Sequence, residues 1–166
     1  MIPAADIAGC EAIRDWLTQR CGIHYPQHKT DLLRQRLTRV QRAFTLSDLS
    51  EMARRLSSEA NHDLQLAVMH AASTNHTYFF RETEVLESFR RQVLPSLAAR
   101  DEMRIWSAAC STGDEAYTLA IMVAETLGFS ALKRLQILGT DISAPVIQQA
   151  EAATAFLQAN WDATIS

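Results

Sequence analysis

The segment Ile105-Trp106-Ser107-Ala108-Ala109-Cys110-Ser111-Thr112-Gly113-Asp114-Glu115 has the make-up of a ligand loop. A largely apolar run, Arg104 to Ala109, passes through small residues into the start of a helix. There backbone N–H groups are free and the chain can be approached closely. The segment is not GxGxxG, so it reads either as a binding loop or as a plain strand-to-helix turn capped by Thr112. Asp141 closes a second apolar run, Leu135 to Thr140, 28 residues past Gly113. A carboxylate in that place can accept hydrogen bonds from both ribose hydroxyls of an adenosine, or it can serve as a turn or cap residue. Together the two features favour an adenosyl ligand. Other chemistries find little support. His24, His28, His62, His70 and His76 are scattered without ligand spacing, so no metal is expected, and no histidine is placed to activate Cys110 as a nucleophile.

The elements that would position these residues follow from periodicity. After Asn75 the chain reads as an amphipathic helix from Thr83 to Val93 with Val85, Leu86 and Phe89 apolar, ended by Pro95. A strand at 104–109, a helix from Glu115 to Leu127 closed by Gly128, a second strand at 135–140 and a helix near Pro145 capped by Ser143 come next. Strand, loop, helix, strand and acid make half of a doubly wound α/β fold. Up to Ser73 the pattern is helical throughout. Ile13, Trp16 and Leu17 form one apolar stripe. A second helix starts near Thr30 or Asp31, with Leu33, Leu37, Val40 and Phe44 on one side and Arg34, Arg36, Arg39 and Arg42 on the other; Leu32 is the misfit. Ser47 is positioned to cap a third helix through Leu56, and Asp63 to Ala72 makes a fourth. The expected architecture is α+α/β: a helical domain over 1–74, then a partial Rossmann-like domain over 75–166.

Three motifs, in order, carry a resemblance. Thr74-Asn75-His76-Thr77-Tyr78-Phe79-Phe80-Arg81-Glu82 is similar to the TNxTxFFRE motif of the chemotaxis receptor methyltransferases, the CheR family. Trp106 to Tyr117 resembles the family's WSAxCSTGEEPYS, with Asp114 in place of Glu and Ala116 in place of Pro. Leu138-Gly139-Thr140-Asp141-Ile142-Ser143 resembles its ATDID stretch. The resemblance implies methyl transfer from S-adenosylmethionine to glutamate side chains on the cytoplasmic helices of chemoreceptors, with S-adenosylhomocysteine as product. It carries cofactor contacts onto Asn75, Thr77, Arg81, Glu115 and Asp141. Arg81 is also the candidate catalytic group, since its guanidinium can bind a carboxylate bidentately, whether the cofactor's or the substrate's. Glu115 supplies negative charge for a cationic ligand, and Asn75 and Thr77 offer short hydrogen-bonding groups. The non-catalytic alternative is a receptor-binding or regulatory module.

The charge distribution has a place in this reading. The net charge is −3, which disfavours a nucleic-acid partner, yet residues 29–55 hold seven Lys/Arg against three acids. The family meets acidic receptor regions through a positive helix, so Arg36, Arg39 and Arg42 are the expected substrate-binding residues. Three cysteines without CxxC spacing, no signal-like N-terminus and no apolar run of membrane-spanning length point to a reduced, cytoplasmic protein that does not insert into a membrane.

Family members carry further strands after the position of Asp141, and Glu151–Ser166 lacks the tyrosine-bearing stretch expected there. The chain therefore reads as a C-terminally truncated member. A two-strand platform leaves the pocket half built. Weak cofactor binding and no methyl transfer are expected of this chain alone, and the open sheet edge invites homodimerisation.

Overall fold

The computed structural model describes residues 3–164, with side chains as far as Thr154. The end of the expected second domain, and most of the Glu151–Ser166 stretch, lie outside the described side chains. The chain divides into two compact units, Met1–Thr74 and Asn75–Ser166.

The first unit is helical: α1 (Ala4–Cys21), α2 (Thr30–Ala43), α3 (Leu49–Leu56) and α4 (His62–Ala72). Its core gathers Ile13 and Leu17 from α1, Leu33, Leu37 and Val40 from α2, Met52 and Leu56 from α3, and Leu64 and Val68 from α4. These are the apolar stripes of the sequence, and Leu32 is left exposed. Gly9 of α1 packs directly against the α3 backbone at Leu49 and Ser50. Across this contact, Asp6 Oδ1 accepts the Leu49 N–H (3.0 Å) and the Ser50 hydroxyl donates to the Ala5 carbonyl (2.6 Å).

Two expectations for this unit are corrected. The cap of α3 is Asp48, whose carboxylate accepts the Glu51 N–H at 2.7 Å, and not Ser47. Ser47 plays the reciprocal part: its N–H and hydroxyl donate to Glu51 Oε2 at 2.7 and 2.9 Å, so a capping box closes one residue further out than usual. Arg36 does not join the solvated face of α2. Its Nη1 lies 3.0 Å from Tyr25 OH, 3.2 Å from the Ala72 carbonyl and 2.9 Å from that of Ser73. Helix α4 ends with carbonyls that have no partner inside the helix, and a guanidinium aimed at them satisfies several at once.

The capping box makes a pH prediction. The Ser47 N–H, then its hydroxyl, then Arg55 hold the Glu51 carboxyl at about 2, below its ordinary 4.5. A depressed carboxyl stabilises the fold fully above its unfolded value and loses that contribution as pH falls through the folded one. Glu51→Gln is expected to lower the thermal midpoint at pH 7, and the gap to the unsubstituted chain should close between pH 4.5 and 2. A gap that stays constant in thermal melts across that range would show that Glu51 makes no such contribution. Asp48→Ala should cost about 1 kcal/mol at neutral pH, as loss of an N-cap does.

The second unit runs α5 (Thr83–Ser88), a π-helical turn at Phe89–Val93, α6 (Leu94–Ala98), β1 (Met103–Ala108), α7 (Asp114–Leu127), a 3-10 stretch at Phe129–Arg134, β2 (Leu135–Thr140) and α8 (Ala144–Thr164). Pro95 does not end the first of these helices. The π turn sends the Leu94 N–H back to the Phe89 carbonyl, and this wider register absorbs the proline's missing donor, so the helix resumes through Ala98. Of its expected apolar residues Leu86 is buried and Phe89 half-buried, while Val85 is 64% exposed.

Strands β1 and β2 pair in parallel, Met103 opposite Leu135 through Ala108 opposite Thr140. Met103, Ile105 and Ser107 turn inward with Ile137. Trp106 and Leu138, on the other face, are 67% and 62% exposed. The strand is thus covered on one side only. Helix α7 supplies that cover, with Leu119 and Met122 against Ile105 and Ile137 and with Val123 beside Met103. Among the described residues no helix is long and apolar enough to cross a membrane.

Candidate functional site

The site is assembled where β1 and β2 end. Ala109, Ser111 and Gly113 all adopt left-handed backbone conformations, φ 60°, 51° and 92°, which coil the loop between β1 and α7 tightly. Two of the three are not glycine, and such conformations cost about 1–3 kcal/mol each unless their surroundings hold them. The hydrogen bonds that hold this loop are specific. Cys110 N–H donates to the Thr140 carbonyl at 2.9 Å, extending the sheet by one rung, and Gly113 N–H donates to the Cys110 carbonyl. Asp141 then braces the loop from below: its Oδ2 accepts the Ser111 N–H and its Oδ1 the Ser143 N–H, both at 2.9 Å.

Gly113 and Gly139 owe their type to packing. A Cβ on Gly113 would stand 2.9 Å from Tyr117 and 3.1 Å from Ala150; one on Gly139 would stand 2.9 Å from Cys110 Sγ. Their bare faces are filled by protein, so the close approach expected of small residues falls to Ala108 and Ala109, which are exposed at the strand end.

Glu115, in the first turn of α7, accepts the Ser107 hydroxyl at 2.6 Å, and Ser107 is fully buried at the end of β1. Glu115 and Asp141 both act on Cys110. Burial first, then the Asp141 carboxylate, with Glu115 adding to it, push the Cys110 thiol up from its ordinary value. That keeps Cys110 protonated and unreactive.

The residues of the Thr74–Glu82 motif run as an irregular strap alongside. The Asn75 carbonyl accepts the Ser111 hydroxyl (2.9 Å), which places Asn75 one residue away from the Asp141 brace. Phe80 N–H donates to the Thr118 hydroxyl (3.1 Å), and the Phe79 ring stacks on Tyr117 with centroids 6.3 Å apart. Arg81 is exposed, donates to the His76 carbonyl at 2.9 Å and lies 3.7 Å from Glu82. Thr77 is half-buried within the strap. Asn75, Asp141 and Glu115 are therefore gathered around one loop, while Arg36, Arg39 and Arg42 belong to the other unit. Ser107 and Ser111 lie in the segment the sequence singles out but without a role assigned to either, and Thr118 lies outside it. Ser107 alone leaves a trace there, as the polar member of the inward Met103-Ile105-Ser107 alternation. Among the described residues no cluster of His, Cys, Asp and Glu is arranged to hold a metal ion.

A coiled strand-to-helix loop, with one carboxylate directly after β2 and another in the first turn of α7, is the arrangement a Rossmann-like fold presents at the C-terminal ends of its parallel strands. Residues 75–159 match the family model described as CheR methyltransferase, SAM binding domain, and residues 8–70 match that of the CheR methyltransferase all-alpha domain. The chain is 34% identical to a chemotaxis protein methyltransferase of Vibrio parahaemolyticus, over 82% of this chain and 51% of the relative. It is 36% identical to one of Salmonella typhimurium, over 81% and 45%. With chemotaxis protein methyltransferase 1 of Pseudomonas aeruginosa it shares 33% identity, over 87% and 55%. The chain belongs to the CheR methyltransferase family: an all-α domain followed by an S-adenosylmethionine-binding domain. It spans about half the length of the curated relatives it matches.

Proposed function

We propose that this chain supplies the receptor-reading domain and the first half of the cofactor site of an S-adenosylmethionine-dependent protein-glutamate O-methyltransferase acting in chemotaxis adaptation. The observation that carries the proposal is the braced carboxylate. Asp141 spends one lone pair of each oxygen on the backbone and keeps the others for ribose hydroxyls, beside a second carboxylate on Glu115. Acceptor-only groups on one side and the Arg81 guanidinium on the strap suit a ligand with hydroxyls, a cationic centre and a carboxylate. When bound, the cofactor presents a methyl carbon on a cationic sulfur, open to displacement by an oxygen nucleophile.

The chain's own residues then have an undemanding task. A glutamate carboxylate with a pKa near 4.3 is already ionised at neutral pH, so no general base is called for. Glu115 offsets positive charge, Asn75 and Thr77 orient, and Arg81 fixes a carboxylate. Holding oxygen, methyl carbon and sulfur in line is the principal contribution. Transfer of labelled methyl from S-adenosylmethionine to receptor cytoplasmic fragments tests the activity. Receptor binding without any transfer, in a chain extended to the length of its relatives, would favour the non-catalytic module.

The receptor-facing surface is assigned to Arg39 and Arg42. Both are exposed on α2, and neither has an ion-pair partner among the described residues, whereas Arg36 is spent on the end of α4. Reversing both, Arg39→Glu with Arg42→Glu, is expected to weaken receptor binding at least about tenfold at low salt. The steep salt dependence of the unsubstituted chain should flatten with it, and S-adenosylhomocysteine affinity should stay as it was. Receptor binding indifferent to both the substitutions and ionic strength, in titrations at two salt concentrations, would remove this surface from the proposal.

A further inference from the structure

We infer that Ser111 and Thr118 are positioning residues: two buried hydroxyls, one on the β1–α7 loop and one on α7, that clip the 75–80 strap in place and thereby set Asn75, Thr77 and Arg81 toward the ligand. The inference rests on the cofactor-binding reading of those three residues.

The strap has no helix or strand of its own, so its backbone groups must find partners elsewhere. Two of them go to hydroxyls at its opposite ends. Ser111, 5% exposed, donates its Oγ to the Asn75 carbonyl. Thr118, 1% exposed, accepts the Phe80 N–H and passes its own proton to the Asp114 carbonyl at 2.7 Å. A threonine bonding back to the carbonyl four residues earlier is ordinary helix chemistry. Accepting an amide 38 positions away is not, and only a group that donates and accepts at once can do both. The clip sits beside the most constrained part of the strap, where Phe80 and Glu82, both non-glycine, have φ of 57° and 58° on either side of Arg81. Such a conformation persists where neighbours over-determine it, and the Thr118 bond together with the stack of Phe79 on Tyr117 does so. Ser111 fastens the other end and is itself held by Asp141, so the ribose acid and the strap are one connected chain of hydrogen bonds.

Thr118→Val keeps the side-chain shape and removes the hydroxyl, while Thr118→Ser keeps the hydroxyl. Residue-resolved hydrogen exchange and calorimetric titration with S-adenosylhomocysteine on the 166-residue chain provide the test. Thr118→Val should speed exchange of the Phe80 amide and weaken the ligand, each by about tenfold. Thr118→Ser should restore both to within about twofold, and Ser111→Ala should weaken the ligand while leaving the Phe80 amide protected. Unchanged Phe80 exchange in Thr118→Val would overturn the clip. Faster exchange with undiminished affinity would overturn its positioning role. An unsubstituted chain that binds no ligand, even when extended, would instead overturn the cofactor reading beneath the inference, and the clip would still be judged by the exchange of Phe80. If Thr118→Val does not fold, rescue by Thr118→Ser together with the Ser111→Ala titration decides the matter.

Discussion

Asp141→Ala is expected to reduce affinity for S-adenosylhomocysteine about a hundredfold, and to loosen the loop between β1 and α7 even without ligand. The two effects have separate origins. Each hydrogen bond from a ribose hydroxyl to a carboxylate is worth about 1.5–3 kcal/mol, so losing one or two accounts for the affinity. The Ser111 and Ser143 amides lose their acceptors at the same time. Ser111 is buried, and a buried donor that loses its acceptor costs about 1–3 kcal/mol. Asp141→Asn separates the two roles, because its amide retains one acceptor for the loop but surrenders the charge. It should lose much of the affinity and less of the stability. Calorimetry and a thermal melt on the same preparations measure both quantities. Undiminished affinity in Asp141→Ala would remove Asp141 from the ligand and leave it a brace of the loop.

Gly9→Ala is expected to destabilise the helical unit by about 3 kcal/mol, contrary to the rule for helix interiors. Exchanging glycine for alanine inside a helix ordinarily gains up to about 1 kcal/mol. Here a Cβ would fall inside the backbone of Leu49 and Ser50, 2.5 Å from the Leu49 carbonyl oxygen. Backbone cannot rotate aside as a side chain would, so α1 and α3 must separate. Separation stretches the Asp6–Leu49 and Ser50–Ala5 hydrogen bonds and admits water toward Cys10, Ile13 and Met52, all essentially fully buried. Overpacking of this kind costs about 1–3 kcal/mol or more. At about 4–8 °C per kcal/mol for a unit of this size, the midpoint should fall by about 10 °C or more. Hydrogen exchange over α1 and α3, read beside a thermal melt, localises the effect. A midpoint that rises would mean that the two helices are free to move apart.

What the sequence determines on its own is whatever repeats along a single element or sits in a contiguous run. The apolar stripes of α1 and α2 are legible because burial on one helix face recurs every three to four residues. The order of strand, loop, helix and strand is legible for a similar reason, as is the place of Asp141 directly after β2. The three motifs are contiguous, and they carry the family. The tertiary structure alone decides which groups satisfy one another across the chain. Arg36 fits the polar side of its wheel as well as Arg39 does, yet it is consumed by the Ala72 carbonyl 36 positions away. Thr118 looks like one more residue on an apolar helix until Phe80 arrives 38 positions upstream. Gly9 looks like a weak point in α1 until Leu49 lies against it. Periodicity records how often a side chain is buried; a hydrogen bond or a backbone contact depends on the distance and direction between two elements, and these exist only once the elements have packed.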